Sequence, residues 1–158
     1  VRKATRAGVT VRESKDLATF WDILDKNLTN KYATHPVHSL EELTLLHSRF
    51  PNSIRLFMAY NDKGIAIGGT IIYEMPQVVH TQYISASPEG KRLGAIDLLF
   101  DYILNDVYAN RKGFFDFGKS TEEEGKILNT TLIFQKEGFG GRGVCYDCYT
   151  WETRSVIE

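Results

Sequence analysis

Apolar residues at Leu17, Phe20, Trp21, Leu24 and Leu28 recur at i, i+3, i+4, i+7 and i+11, the spacing of one helix face. Ser14 stands ahead of them where an N-cap belongs. A short strand is predicted before this helix, over residues 9–12. A second helix opens at the capping box formed by Ser39 and Glu42, continues through Leu43 and Leu46, and stops at Phe50-Pro51. Three strand patterns follow, over residues 54–60, 65–74 and 78–85, separated by turn residues at Asn61-Asp62-Lys63-Gly64 and Pro76-Gln77. Such short connections predict an antiparallel meander, and Gly68-Gly69 within the middle strand predicts a bulge or a close backbone approach. After Ser87-Pro88, Ile96, Leu99, Phe100, Ile103, Leu104 and Val107 mark an amphipathic helix that Gly113 should end. A short buried strand over 114–117, a helix capped by Thr121-x-x-Glu124 and running to about Glu137, and a strand over 143–151 complete the reading. The order β-α-α-β-β-β-α-β-α-β predicts an α/β (α+β) fold with one right-handed crossover in its second half.

Composition adds exclusions. The 158 residues are the length of one domain that can bury a core without disulfides or a structural metal. A formal net charge of −1 provides no overall field for nucleic acid or an anionic membrane, so either would need a local patch. The one such patch is the basic opening VRKATRAG, which, with no initiator Met, reads as the start of a fragment cut from a longer chain or of a processed one. No apolar run is long enough to span a bilayer or to serve as a signal core, so a cytoplasmic location is the expectation. Cys145 and Cys148 form a Cys-x-x-Cys, but on an alternating strand residues three apart face opposite ways, which argues against a shared metal or a disulfide. His35 and His38 lack further ligands beside them and read as loop residues, so no metal is expected.

The run FFDFGKST, from Phe114 to Thr121, and the helix end FQKEGFGGRG, from Phe134 to Gly143, resemble the closing signature of FemAB-like members of the GNAT acyltransferase superfamily. Asp116, Phe117 and Gly118 match its strand, and Lys136, Phe139 and Gly140 its helix end. The opening Val1-Arg2-Lys3-Ala4, with Arg6 and Gly8, is similar to the segment that starts the second domain of such two-domain proteins. The resemblance implies a GNAT fold with a mixed, mostly antiparallel sheet flanked by helices, with residues 1–158 forming one domain. It implies N-acyl transfer from acetyl-CoA or another acyl-CoA to an amine, on a small molecule or a cell-envelope precursor, and a role for Lys136 in handling the acyl donor or the charge of the transition state. Ahead of the central helix such domains carry Gln/Arg-x-x-Gly-x-Gly/Ala; here Gly94 takes the middle position, while Lys91 and Ile96 depart from the pattern.

The chemistry can be assigned residue by residue. Backbone N–H groups at a helix start, glycines and cations together bind pyrophosphate, which selects Gly90, Lys91, Arg92, Leu93, Gly94 and Ala95, with Ile84 and Ser85 on the strand leading in. Acyl transfer to an amine needs a base, and His80 is suited to it, imidazole having an unperturbed pKa near 6.5. By alternation Gln82 shares the face of His80 and Tyr83 takes the other. Tyr83, Tyr102, Tyr108 and Tyr146 are of the type that can protonate a thiolate leaving group. Asp116, on a short apolar strand, should have a polar partner and could orient a substrate amine. Two other functions fit the same residues. One is aminoacyl transfer from aminoacyl-tRNA, the only case that brings in nucleic acid; the other is a non-catalytic domain completing a larger enzyme. A homodimer is compatible with all of them.

Overall fold

The computed structural model describes residues 1–151 and divides the chain into two compact units, Val1–Lys119 and a unit beginning at Ser120.

The first unit is built on a five-stranded sheet in the order β1-β2-β3-β4-β5, with β1 Thr10–Ser14, β2 Ile54–Tyr60, β3 Ala66–Glu74, β4 Val78–Ala86 and β5 Phe114–Asp116. Pairs β1 to β4 are antiparallel, and β4–β5 alone is parallel, since the chain must cross back over the sheet to reach β5. On one face, α2 (Leu17–Tyr32) and α3 (Leu40–Arg49) bury Phe20, Trp21, Leu24 and Leu43 against Leu56, Met58 and Ile71. On the other, α5 (Ala95–Tyr102) buries Ile96, Leu99 and Phe100. A one-turn helix α1 (Arg2–Arg6), which buries Ala4 alone, precedes β1; with one apolar contact it leaves no periodicity to read.

The sequence expectations are met in outline and altered in detail. β1 starts later than expected and extends through Ser14, which still pairs with Leu56. Ser14 therefore does not cap α2. Asp16 does, accepting from the Thr19 N–H at 3.1 Å, while the Ser14 hydroxyl oxygen accepts from the Asp16 N–H. The Ser39–Glu42 capping box of α3 is present in both directions. A Cβ on Gly69 would lie 2.7 Å from the Phe57 carbonyl and 2.9 Å from the Phe20 ring, so the predicted close approach is real. The predicted central helix is broken. After α4 (Pro88–Leu93) comes Gly94 in the left-handed region at φ 74°, then α5, then a π turn over Ile103–Val107 closed by the Tyr108 N–H on the Ile103 carbonyl. The helix ends at Val107, before Gly113, and the Tyr108 hydroxyl that follows bonds Glu74 and Arg55. β5 is not buried as expected: Phe114 is 77% exposed.

In the second unit, β6 (Thr121–Glu122) and β7 (Ile127–Leu128) form a small hairpin, followed by α6 (Thr130–Gly138). The helix expected from Thr121 does not form, since Glu123, Glu124 and Gly125 all take positive φ, which no right-handed helix accommodates. Asn129 caps α6 instead, accepting from the Leu132 N–H. Residues 143–151, expected as a strand, form no regular element; Val144, Tyr146, Tyr149 and Trp151 are 73 to 90% exposed, and no face of the segment is buried. The strand argument about the cysteines falls with it; both thiols are free and exposed.

Candidate active site

The site is organised by a fault in β4. Its pairing with β3 runs His80–Tyr73, Thr81–Ile72, Tyr83–Ile71 and Ile84–Thr70, so Gln82 has no partner in the register. A one-residue bulge of this kind reverses alternation beyond it. Tyr73 and Ile71 lie two apart on regular β3 and share a face, so His80 and Tyr83 share it too. This corrects the expectation that Tyr83 faces away from His80. Both sit on the side covered by α2 and α3, where Tyr73 and Tyr83 pack against the core cluster.

β4 and β5 are in register only over Val78–Phe114, Val79–Phe115 and His80–Asp116. Beyond that point no β5 residue pairs with β4 among the described residues. At the parting of the strands the His80 Nδ1 meets Asp116 Oδ2 at 2.7 Å, and Asp116 Oδ1 accepts from the Gly118 N–H at 2.8 Å. Gly118 has φ 72°, the left-handed geometry that turns its N–H back to the carboxylate. With a hydrogen on Nδ1, the imidazole donates to Asp116 and keeps its Nε2 lone pair. The His80 side chain is 28% exposed, screened but accessible. The polar partner expected for Asp116 is thus His80.

Tyr83 is held from two sides. Its hydroxyl lies 2.6 Å from His38 Nδ1, and its ring meets Trp21 edge-on at 5.4 Å. Beside it, Tyr73 has a buried hydroxyl with no hydrogen-bond partner, and burial together with Tyr83 raises its pKa. Reading the sequence missed His38, Tyr73 and Trp21 as parts of the site. His38 reaches Tyr83 across 45 positions, and no local pattern signals such a contact.

At the opposite end of β4, Ser87 caps α4 by accepting from the Gly90 N–H, and its carbonyl accepts from the Lys91 N–H. Gly90 is buried, and a Cβ there would come within 2.0 Å of the Ile67 carbonyl, so close packing alone requires this glycine. Gly94 starts α5 with its left-handed turn, followed by buried Ala95. Lys91 and Arg92 are exposed, with the Lys91 ammonium on Asn27 Oδ1, while Leu93 is half-buried. Ser85 is buried and Ile84 half-buried. The structure therefore separates the sequence candidates of this unit into a His80–Asp116 contact at the strand parting, Tyr83 farther along β4 against His38 and Trp21, and a glycine-containing helix start. Lys136 belongs to the second unit, on α6, where it is only 8% exposed. Among the described residues no group of His, Cys, Asp and Glu could hold a metal ion, and no helix is long and apolar enough to cross a membrane.

A β4–β5 pair that parts beside a histidine–carboxylate contact, with a helix start at the end of β4, is an arrangement that suits the GNAT acyltransferase fold. The pattern of the acetyltransferase (GNAT) domain family matches residues 1–124, and the chain belongs to that family, whose activity is N-acyl transfer. Solved structures agree on the fold. One is described as a possible acetyltransferase from Clostridium difficile 630, 15% identical with a TM-score of 0.67, the alignment covering 92% of this chain and 97% of that one. AAC(6')-Iy, in complex with the bisubstrate analogue CoA-S-monomethyl-acetylneamine, is 14% identical with a TM-score of 0.65 over 92% of this chain and 98% of that one. The aminoglycoside 6'-N-acetyltransferase AAC(6')-Ih from Acinetobacter baumannii is 14% identical with a TM-score of 0.61 over 92% and 99%. No curated protein sequence matches the chain.

Proposed function

We propose that the chain transfers an acetyl or similar acyl group from an acyl-CoA to the primary amine of a small molecule, with His80 as base and Asp116 as its positioning partner. The observation that carries this reading is the 2.7 Å contact between His80 Nδ1 and Asp116 Oδ2 at the point where β4 and β5 part. The helix start at Gly90, Lys91, Arg92, Leu93, Gly94 and Ala95 would receive the donor's pyrophosphate on backbone N–H groups and flanking cations, with the donor's arm laid along β4 past Ser85 and Ile84. The amine must lose a proton before it can attack. Nε2 of His80 takes it, and Asp116 stabilises the imidazolium. The nitrogen then adds to the thioester carbonyl; as the C–N bond forms and the C–S bond breaks, the nitrogen releases its second surplus proton to solvent, and the departing thiolate takes a proton from the Tyr83 phenol, which recovers its own from solvent. The backbone N–H of Gln82, which lies outside the β3 register, would steady the oxyanion.

The FemAB-like character, and with it a role for Lys136 toward the donor, is supported by the match of Asp116-Phe117-Gly118 and of Lys136, Phe139 and Gly140 to that signature. The same likeness supports a cytoplasmic enzyme that forms the second domain of a longer chain. His80→Gln should lower kcat/KM by about 10² to 10³, within the range for loss of a general base, and Asp116→Asn by less. Acetyl-CoA binding, followed by calorimetry, should change by less than about twofold in both variants. Equal activity of wild type and His80→Gln in a thiol-release assay would remove His80 from the chemistry.

A further inference from the structure

On the α2–α3 side of the sheet an open cleft of about 690 Å³ is bounded by α2 and residues 35–42. Its volume is that of a small-molecule site. Its lining includes four carboxylates, Asp22, Asp25, Glu41 and Glu42, and neither a lysine nor an arginine. The chain as a whole is balanced, with 19 Lys and Arg against 20 Asp and Glu, so the cleft is a local concentration of negative charge. Only part of that charge is compensated. Asp25 meets His35 at 2.7 Å, and Asp22 shares an exposed pair with Lys26. Glu42 gives Oε2 to the Ser39 N–H of its capping box. Hydrogen bonds from its own backbone and from Ser39 hold the Glu41 carboxyl below the usual carboxylate range, so it is ionised at neutral pH.

The cleft also borders the candidate site through His38 and Trp21. His38 lines it and bonds the Tyr83 hydroxyl, and the β4 bulge places Tyr83 on the same face as His80. Trp21, also in the lining, meets the ring of the same tyrosine. A substrate lying in the cleft would therefore present one end past the His38–Tyr83 pair toward His80 and keep the rest of its length among carboxylates.

We propose that this cleft binds the acyl acceptor and that the acceptor is an oligoamine: one amine is delivered to His80, and at least one further ammonium group is held by Asp25, Glu41 and their neighbours. The inference rests on the acyl-transfer reading and names its substrate class. An oligoamine suits both the reaction and the lining, because its reacting nitrogen can be neutral while its other ammonium groups meet the carboxylates. Carboxylates along the cleft bind the distant ammonium groups without holding a proton on the attacking one.

The test is calorimetric titration of the full chain at low salt with spermidine and with n-butylamine, which has one amino group. Spermidine should bind at least about tenfold more tightly, since each added ion pair at about 4 Å in water brings roughly fivefold. Glu41→Gln, at an exposed position that leaves the fold intact, should weaken spermidine about fivefold and leave n-butylamine within twofold; adding Asp25→Asn should deepen the loss. Acetyl-CoA binding should be unchanged in both variants. Equal affinity for the two amines, or spermidine binding insensitive to both substitutions, overturns the proposal. If spermidine behaves as expected but the protein neither binds acetyl-CoA nor acylates any amine, the cleft stands as an oligocation site and the acyl-transfer reading fails separately.

Discussion

The middle strand β3 and the segment 143–151 have comparable apolar content and opposite fates. In β3, Ile67, Ile71 and Ile72 are at most 1% exposed, because β2 and β4 flank the strand and helices cover both its faces. In 143–151, Val144, Tyr146, Tyr149 and Trp151 stay 73 to 90% exposed, and no ladder forms. The helices repeat the contrast. α2 and α6 are both properly capped, by Asp16 and Asn129, yet α2 buries Leu17, Phe20, Trp21 and Leu24 while Lys136 is the single buried residue of α6. Local capping suffices to start a helix, whereas burial requires a partner surface, and strands need one even to exist.

Substitutions can sharpen this contrast, beginning with the largest effect. Phe20→Ala, which empties a fully buried site against Gly69, should cost about 3 to 5 kcal/mol in a denaturant titration. A cost below 1 kcal/mol would mean that the first unit has no tight core. Removing the two caps compares the units directly: Asp16→Ala should lower global stability by about 1 kcal/mol, while Asn129→Ala should reduce helical circular dichroism with less effect on the main unfolding transition.

Acid sets a subtler difference. The hydrogen bond from Arg55 draws Glu13 below its ordinary value of 4.5, and those from Thr19 draw Asp16 below 3.8. Both pKa values are depressed in the folded state, so their stabilisation is complete above the unfolded values and drains away as the pH falls through the folded ones. Glu13→Gln should flatten that acid slope by less than about 1 kcal/mol, because the pair is half exposed. The smallest change is expected at Trp151→Ser, within about 0.5 kcal/mol of wild type, as befits a ring that is 88% exposed.

Periodicity in the sequence was enough to locate α2, α3 and the three long strands, since each carries apolar spacing over two or more turns or pleats. Side-chain chemistry and the family resemblance brought out His80 and Asp116 as candidates but could not join them: the pair exists because β5 returns parallel to β4 and stops in register with His80. The face of Tyr83 was misread, since a bulge is a relation between two strands and leaves no mark on one of them. His38 and the acidic cleft were hidden for a similar reason, their members being spread over α2 and residues 35–42 and meaningful only when assembled. The sequence alone thus determined which segments could bury an apolar face and which side chains were candidates by chemical type. The tertiary structure decided which faces found a partner and which groups came within bonding distance, because burial and hydrogen bonding depend on neighbours that the order of residues does not specify.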